Sequence, residues 1–279
     1  MKPQILIFFL SLLFLACCGQ MMGGLPAGPR QFPFAVQVLS NVSGYTSVCA
    51  GSIIGRQWVL TAGHCVRRNG ANLITKIVAG DEFYKDSDGV GRVEIPNDQI
   101  QIITPVRFDR DDNTYDAALL FLRTPLEASR RVKMIELGTR VIQIGEECTV
   151  MGWGNTRVVF GPPGSDSNHV QSEISTFLKY GKLTVQHNAY PHFYVTEFMN
   201  RDGESPYMLK GDSGSPLVCR DTDGKQKLFG WLYIVEADHN LAVYKKLAFF
   251  REWIRGQMRM KGIMNEYEGG VTDFRKFNP

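Results

Sequence analysis

Short apolar runs that alternate with polar residues, each broken within a few residues by Gly, Asn or Asp, constrain this chain more than any other feature. Phe34-Ala35-Val36-Gln37-Val38, Ser52-Ile53-Ile54, Leu73 to Val78, Gln101-Ile102-Ile103 and Ala118 to Leu122 all read this way. Such runs have the length and period of strands. A second series runs from Val141 to Tyr244, interrupted over Phe160 to Ser167 by a surface loop containing Gly-Pro-Pro-Gly-Ser. Many short strands separated by turn signals predict an all-β fold, a barrel or a sandwich. One stretch departs from the pattern. Lys246 to Arg255 carries Leu247, Phe250 and Ile254 on one face with Phe249 and Trp253 alongside, which predicts a terminal helix docked on the second series. Residues 262–279, with Gly269-Gly270 and few apolar side chains, read as a loose tail.

Residues 1–19 have a lysine at position 2, an apolar run from Ile5 to Ala16 and small residues after it. This is the pattern of a secretory signal peptide, too short to remain as a membrane span, so export is predicted. No other window approaches transmembrane length. The remaining stretch of about 260 residues holds four cysteines, Cys49, Cys65, Cys148 and Cys219, an even number that fits disulfides in an oxidising compartment. Four cysteines allow three pairings. Asn41-Val42-Ser43 is an N-glycosylation sequon. A net charge of +3, with 44% apolar and 21% charged residues, gives no argument for nucleic acid or a membrane as partner.

Chemistry concentrates in Lys210-Gly211-Asp212-Ser213-Gly214-Ser215-Pro216. A serine hydroxyl is a weak nucleophile at neutral pH, so Ser213 needs a base within reach and donors for the oxyanion it creates. Gly211, without a side chain, allows the tight turn that aims its N–H and that of Ser213 at one point. Two other stretches each set one titratable residue at the edge of an apolar run: His64 in Val59 to Cys65 and Asp116 in Asn113 to Leu120. The three segments read TAGHC, DAALL and GDSGSP, in the order His, Asp, Ser. At these residues the chain resembles the chymotrypsin-like, trypsin-fold serine proteases, whose motifs are T-A-A-H-C, D-I-A-L-L and G-D-S-G-G-P. The resemblance covers roughly Met21 to Lys261.

That resemblance implies one protease domain over residues 20–261, built as two six-stranded antiparallel β-barrels with a C-terminal helix and the triad in the cleft between barrels. It selects the pairs Cys49 with Cys65 and Cys148 with Cys219. It assigns His64 as general base, Asp116 as the group that fixes the imidazole tautomer, Ser213 as nucleophile, and the Gly211 and Ser213 amides as the oxyanion hole. The implied partner is a protein or peptide substrate, with a protein inhibitor or regulatory partner as the other class. No step needs a cofactor, and the histidines show no metal-ligand spacing.

Three departures open a second reading, a secreted homologue that binds a partner and cuts weakly or not at all. Leu209 stands where the family has a cysteine, and the partner loop is shortened between Glu236 and Leu241. Tyr207 occupies the base of the family's specificity pocket, and Val235 and Ala242 replace its glycine walls. Ser215 replaces the family's second glycine after the nucleophile. A further oddity concerns activation. The family frees an N-terminus beginning I-V-G-G, whose ammonium inserts beside the acid preceding the nucleophile. The matching residues are Met21-Met22-Gly23-Gly24 and Asp212, yet Gln20 precedes Met21 and no basic residue lies between Lys2 and Arg30. Either Gln20 is trimmed and the enzyme is constitutively competent, or it stays and the oxyanion hole is ill-formed.

The pocket residues carry a prediction. With Tyr207 at the base and Val235 and Ala242 on the walls, a long cationic side chain loses both counter-charge and room. A peptide-library profile should show no preference for Arg or Lys before the scissile bond and a bias to small apolar residues; strong Arg or Lys preference contradicts this pocket assignment.

Overall fold

A computed structural model describes residues 24–84, 89–108, 113–159, 171–188, 190–197, 211–236 and 241–269. Met21 to Gly23, Tyr207, Leu209 and Lys210 lie outside the described residues, as does the stretch before Met21. The alternating runs are strands. Ala35–Val42, Tyr45–Gly55, Trp58–Thr61, Ile74–Ala79, Val93–Pro96, Ile100–Ile103 and Ala118–Leu122 form one antiparallel sheet, with the Ile100 and Val93 strands at its opposite edges. These two strands are one stretch of chain interrupted by a 3-10 turn at Asn97–Gln99. Its first half pairs with Ile74–Ala79 and its second with Ala118–Leu122. The chain joins the two edges without pairing them, so the sheet curls into a half-barrel, called here the first barrel. The expected six strands become seven because one strand is bent into two.

The second sheet closes by hydrogen bonds. Lys179–His187, Glu147–Gly152, Pro216–Arg220, Gln226–Glu236, Leu241–Lys246 and Phe193–Glu197 follow one another around a ring, and Phe193–Glu197 returns to Lys179–His187. The short strand Leu25–Pro26 is added outside the ring on Lys179–His187, so the chain's first described element lies on the second barrel. Ile142, Val150, Leu183, Val185, Leu217, Phe229 and Leu232 fill this barrel's interior. Cys148–Cys219 joins two of its strands within that core, and Cys49–Cys65 joins a first-barrel strand to the turn carrying His64, as the resemblance implies.

The helix runs Leu247–Gly269, well past Arg255 and into the stretch read as a tail. Gly256 and Gly262 weaken helix but do not break it, and no proline intervenes before Gly269-Gly270. Its docking also differs from the expectation. Leu247, Phe250 and Ile254 are buried in one cluster with the first barrel's Ile54 and Trp58 and the second barrel's Trp231. The helix is thus a strap across both barrels. Its Phe249 and Phe250 rings pack on Tyr115 and Trp231, beside Asp116.

The disulfides differ in the loop each closes, with sequence separations of 16 for Cys49–Cys65 and 71 for Cys148–Cys219. On the chain-entropy account the Cys148–Cys219 pair should contribute about 4 kcal/mol and Cys49–Cys65 about 3. Urea unfolding of the two double-serine variants should reproduce that order; a larger loss from Cys49/Cys65 removal contradicts it.

Candidate active site

Asp116 follows the 3-10 turn Asn113–Tyr115 and precedes the fully buried strand Ala118–Leu122. Burial of Ala117 and the strand behind it carries the Asp116 side chain inward, where it is 3% exposed. Both carboxylate oxygens are occupied by one residue. Oδ1 accepts from His64 N at 2.8 Å, and Oδ2 lies 2.7 Å from His64 Nδ1. An ionised carboxylate can only accept, so Nδ1 carries the proton and Nε2 is left as the basic nitrogen. The imidazole is 42% exposed, so that nitrogen can meet a substrate.

His64 lies in the turn Gly63–Cys65, whose glycine is required by crowding. A Cβ on Gly63 would stand 2.4 Å from the Phe108 ring and 2.9 Å from Asp116 Oδ1. The Cys49–Cys65 disulfide then ties this turn to Tyr45–Gly55. His64 and the sulfurs of Cys49 and Cys65 lie within 4.8 Å of one another, but sulfurs joined in a disulfide have no thiolate to offer a metal.

The Ser213 loop reaches the same place from the second barrel. Ser213 O accepts from Ala50 N at 2.8 Å, and Cys65 Sγ lies 3.7 Å from that oxygen and 3.9 Å from His64 Nε2. Gly211 has φ +100° and Gly214 φ +80°, conformations that L side chains rarely adopt. Gly214 is held further by contact, since a Cβ there would meet Ala50 O at 2.2 Å and Thr61 Oγ1 at 2.3 Å. Gly214 N donates to Leu232 O, Leu232 N to Ser215 O and Ser215 N to Asp212 O, lacing the loop to the strand Gln226–Glu236. Ser215 is fully buried, so the small side chain replacing glycine is accommodated.

Asp212 is fully buried, with Oδ1 accepting from Gly154 N at 2.7 Å. Val235 and Ala242 are direct partners across antiparallel strands. Ala242 is buried in the second core and Val235 packs against it. The third pocket residue, Tyr207, lies outside the described residues.

The sequence matches the trypsin family over residues 21–254. The chain belongs to the trypsin family. This trypsin-family chain is 30% identical over 226 residues to trypsin-1 of Salmo salar, covering 77% of this chain and 83% of the relative. It is similar to a structure of human heparin binding protein at TM-score 0.66 and 25% identity, covering 84% of this chain and 95% of that one. An atomic-resolution structure of HBP, 23% identical at TM-score 0.67 over 85% of this chain and 96% of that one, shows the likeness of fold alone.

Two neighbours of the trypsin-family site escaped the sequence reading. Trp231 Nε1 donates to Asp116 O at 3.0 Å from the other barrel, and Phe250 of the helix packs on its indole at 5.0 Å. Tyr233 presents its ring edge-on to His64 at 6.2 Å, with Lys245 Nζ 4.2 Å from its centroid. Burial, then the charges of Asp116 and Glu236, push the Tyr233 phenol up to about 12, so it stands neutral beside the imidazole at neutral pH. Both sit in an alternating apolar run that reads simply as core.

Trp231→Phe keeps the packing on Phe250 and removes the donor, leaving Asp116 O buried and unpaired. It should lower the unfolding free energy by about 1–2 kcal/mol in urea titration. An unchanged midpoint would show that the indole does not hold this carbonyl.

Proposed function

We propose that the chain is an exported serine endopeptidase that hydrolyses peptide bonds through an acyl-enzyme. The observation that carries this reading is the grip of buried Asp116 on both the main-chain N and Nδ1 of His64, which leaves Nε2 basic on the open side. In the proposed cycle Ser213 Oγ attacks the substrate carbonyl and its proton passes to His64 Nε2. The Gly211 and Ser213 amides receive the oxyanion, and His64 then protonates the leaving amine. Asp116 stays ionised and stabilises the imidazolium. Water repeats the sequence on the ester and frees Ser213.

Residues 1–19 as a signal peptide, the two disulfides and the sequon support export. Asn41 is exposed beside a two-residue hairpin turn, Ser43-Gly44, with φ +53° and +86°. That placement supports its use for glycosylation. Among the described residues no helix is long and apolar enough to cross a membrane.

A second reading, a regulatory homologue that binds rather than cuts, draws support from Tyr233 beside His64, from Val235 and Ala242 in place of pocket glycines, and from the likeness to human heparin binding protein. A fluorophosphonate probe separates the two. The mature chain should be labelled on Ser213, Ser213→Ala should take no label, and His64→Ala should be slowed by roughly a thousandfold or more. Absence of Ser213-dependent label on the wild-type chain favours the binding homologue.

A further inference from the structure

Among the described residues, six buried side-chain polar atoms have no hydrogen-bond partner, Lys179 Nζ, Ser215 Oγ and Tyr244 Oη being three of them. Lys179 and Tyr244 both feel the Asp212 charge, and Ser215 Oγ and the Asp212 carboxylate face the same point above Gly152. The centre of this compartment is the Asp212 carboxylate, which presses on the main chain of Gly152 and Gly154. A Cβ built on Gly152 would stand 2.1 Å from Asp212 Oδ1 and 2.8 Å from Ser215 Oγ.

Gly152 is the direct antiparallel partner of Lys179. Directly opposed residues send their side chains to the same face of a sheet. The face on which a Gly152 side chain would collide with Asp212 is therefore the face that receives the Lys179 side chain. Lys179 is 1% exposed there. A lysine so buried is rare unless a charge compensates it, and the same holds for a buried aspartate.

We propose that Lys179 is the resident cation of the Asp212 compartment, a positioning residue whose ammonium holds the loop 211–215 in its competent form without a free α-ammonium at Met21. Both charged groups are then buried together, and the chain has no need of the activating cut that Gln20 and the missing basic residue deny it. Burial pulls the Lys179 ammonium down to about 8 while the Asp212 charge pulls it up, so it is protonated at neutral pH. The titratable groups facing it are Asp212 from the loop and, across Asp212, Tyr244 from Leu241–Lys246. Burial and the Asp212 charge push the Tyr244 phenol well above its usual value, so it stays a neutral donor.

The loop-holding role rests on the protease reading above; the pairing of charges does not, and the test separates them. In the chain beginning at Gln20, fluorophosphonate labelling should fall roughly 100-fold in Lys179→Met and stay within a few-fold of wild type in Lys179→Arg. Wild-type labelling should also decline as pH rises through about 8, where the ammonium is lost, and Lys179→Arg should lack that decline. In parallel, melting temperatures of Lys179→Met, Asp212→Asn and the double variant report pairing without catalysis. Each single change should lower the midpoint by roughly 5 °C or more, and the double change by clearly less than their sum. Labelled wild type with equally labelled Lys179→Met, or an additive cycle, overturns the proposal. Unlabelled wild type with a non-additive cycle overturns the protease reading and leaves the charge pair standing.

Discussion

The Asp116 carboxylate is the interaction on which the cleft depends. Removing a carboxylate from water is costly unless its oxygens are fully hydrogen-bonded, and here both are taken by one residue, His64. The Asp116 main-chain carbonyl accepts from the Trp231 indole N–H of the second barrel, and Phe250 of the helix backs that indole. A line of contacts therefore runs from the C-terminal helix through the second barrel to Asp116 and on to the imidazole. The helix straps the barrels together and also sets the floor beneath the candidate base.

The serine side is positioned by backbone. Ser213 O and Ala50 N meet across the cleft, one residue from the Cys49–Cys65 disulfide that frames His64. Gly214 is needed because Ala50 O and Thr61 Oγ1 occupy the space of a side chain, and Thr61 Oγ1 in turn donates to Ala50 O at 2.7 Å. TAGHC and GDSGSP thus look like separate motifs in the sequence and are one packed unit in space.

Much of this was legible in the sequence because the signals were local. Ala118 to Leu122, one of the short apolar runs read as strands, is a strand and is buried throughout. Two of the motifs name His64 and Asp116, which meet at hydrogen-bond distance, and the Ser213 loop packs beside them through Ala50 N and Cys65 Sγ. What escaped depends on register. Tyr233 lies where the pairing of Gln226–Glu236 with Leu241–Lys246 shifts between Leu232 and Ile234, and an extra residue at a bulge re-aims its side chain in a way no period-2 reading anticipates. Lys179 faces Asp212 only because it is opposite Gly152, a pairing set by strands 27 positions apart. The bend at Asn97–Gln99 and the helix beyond Arg255 were missed for a simpler reason: weak local signals were decided by what the segments pack against.

The central claim, that the Asp116–His64 pair and the Ser213 loop form one working site, is tested most directly by a crystal structure of the organophosphorus adduct. The account predicts phosphorus bonded to Ser213 Oγ, with a phosphoryl oxygen about 3 Å from the amides of Gly211 and Ser213 and His64 Nε2 beside the bonded oxygen. Phosphorus on another residue, or a phosphoryl oxygen turned away from both amides, would contradict it.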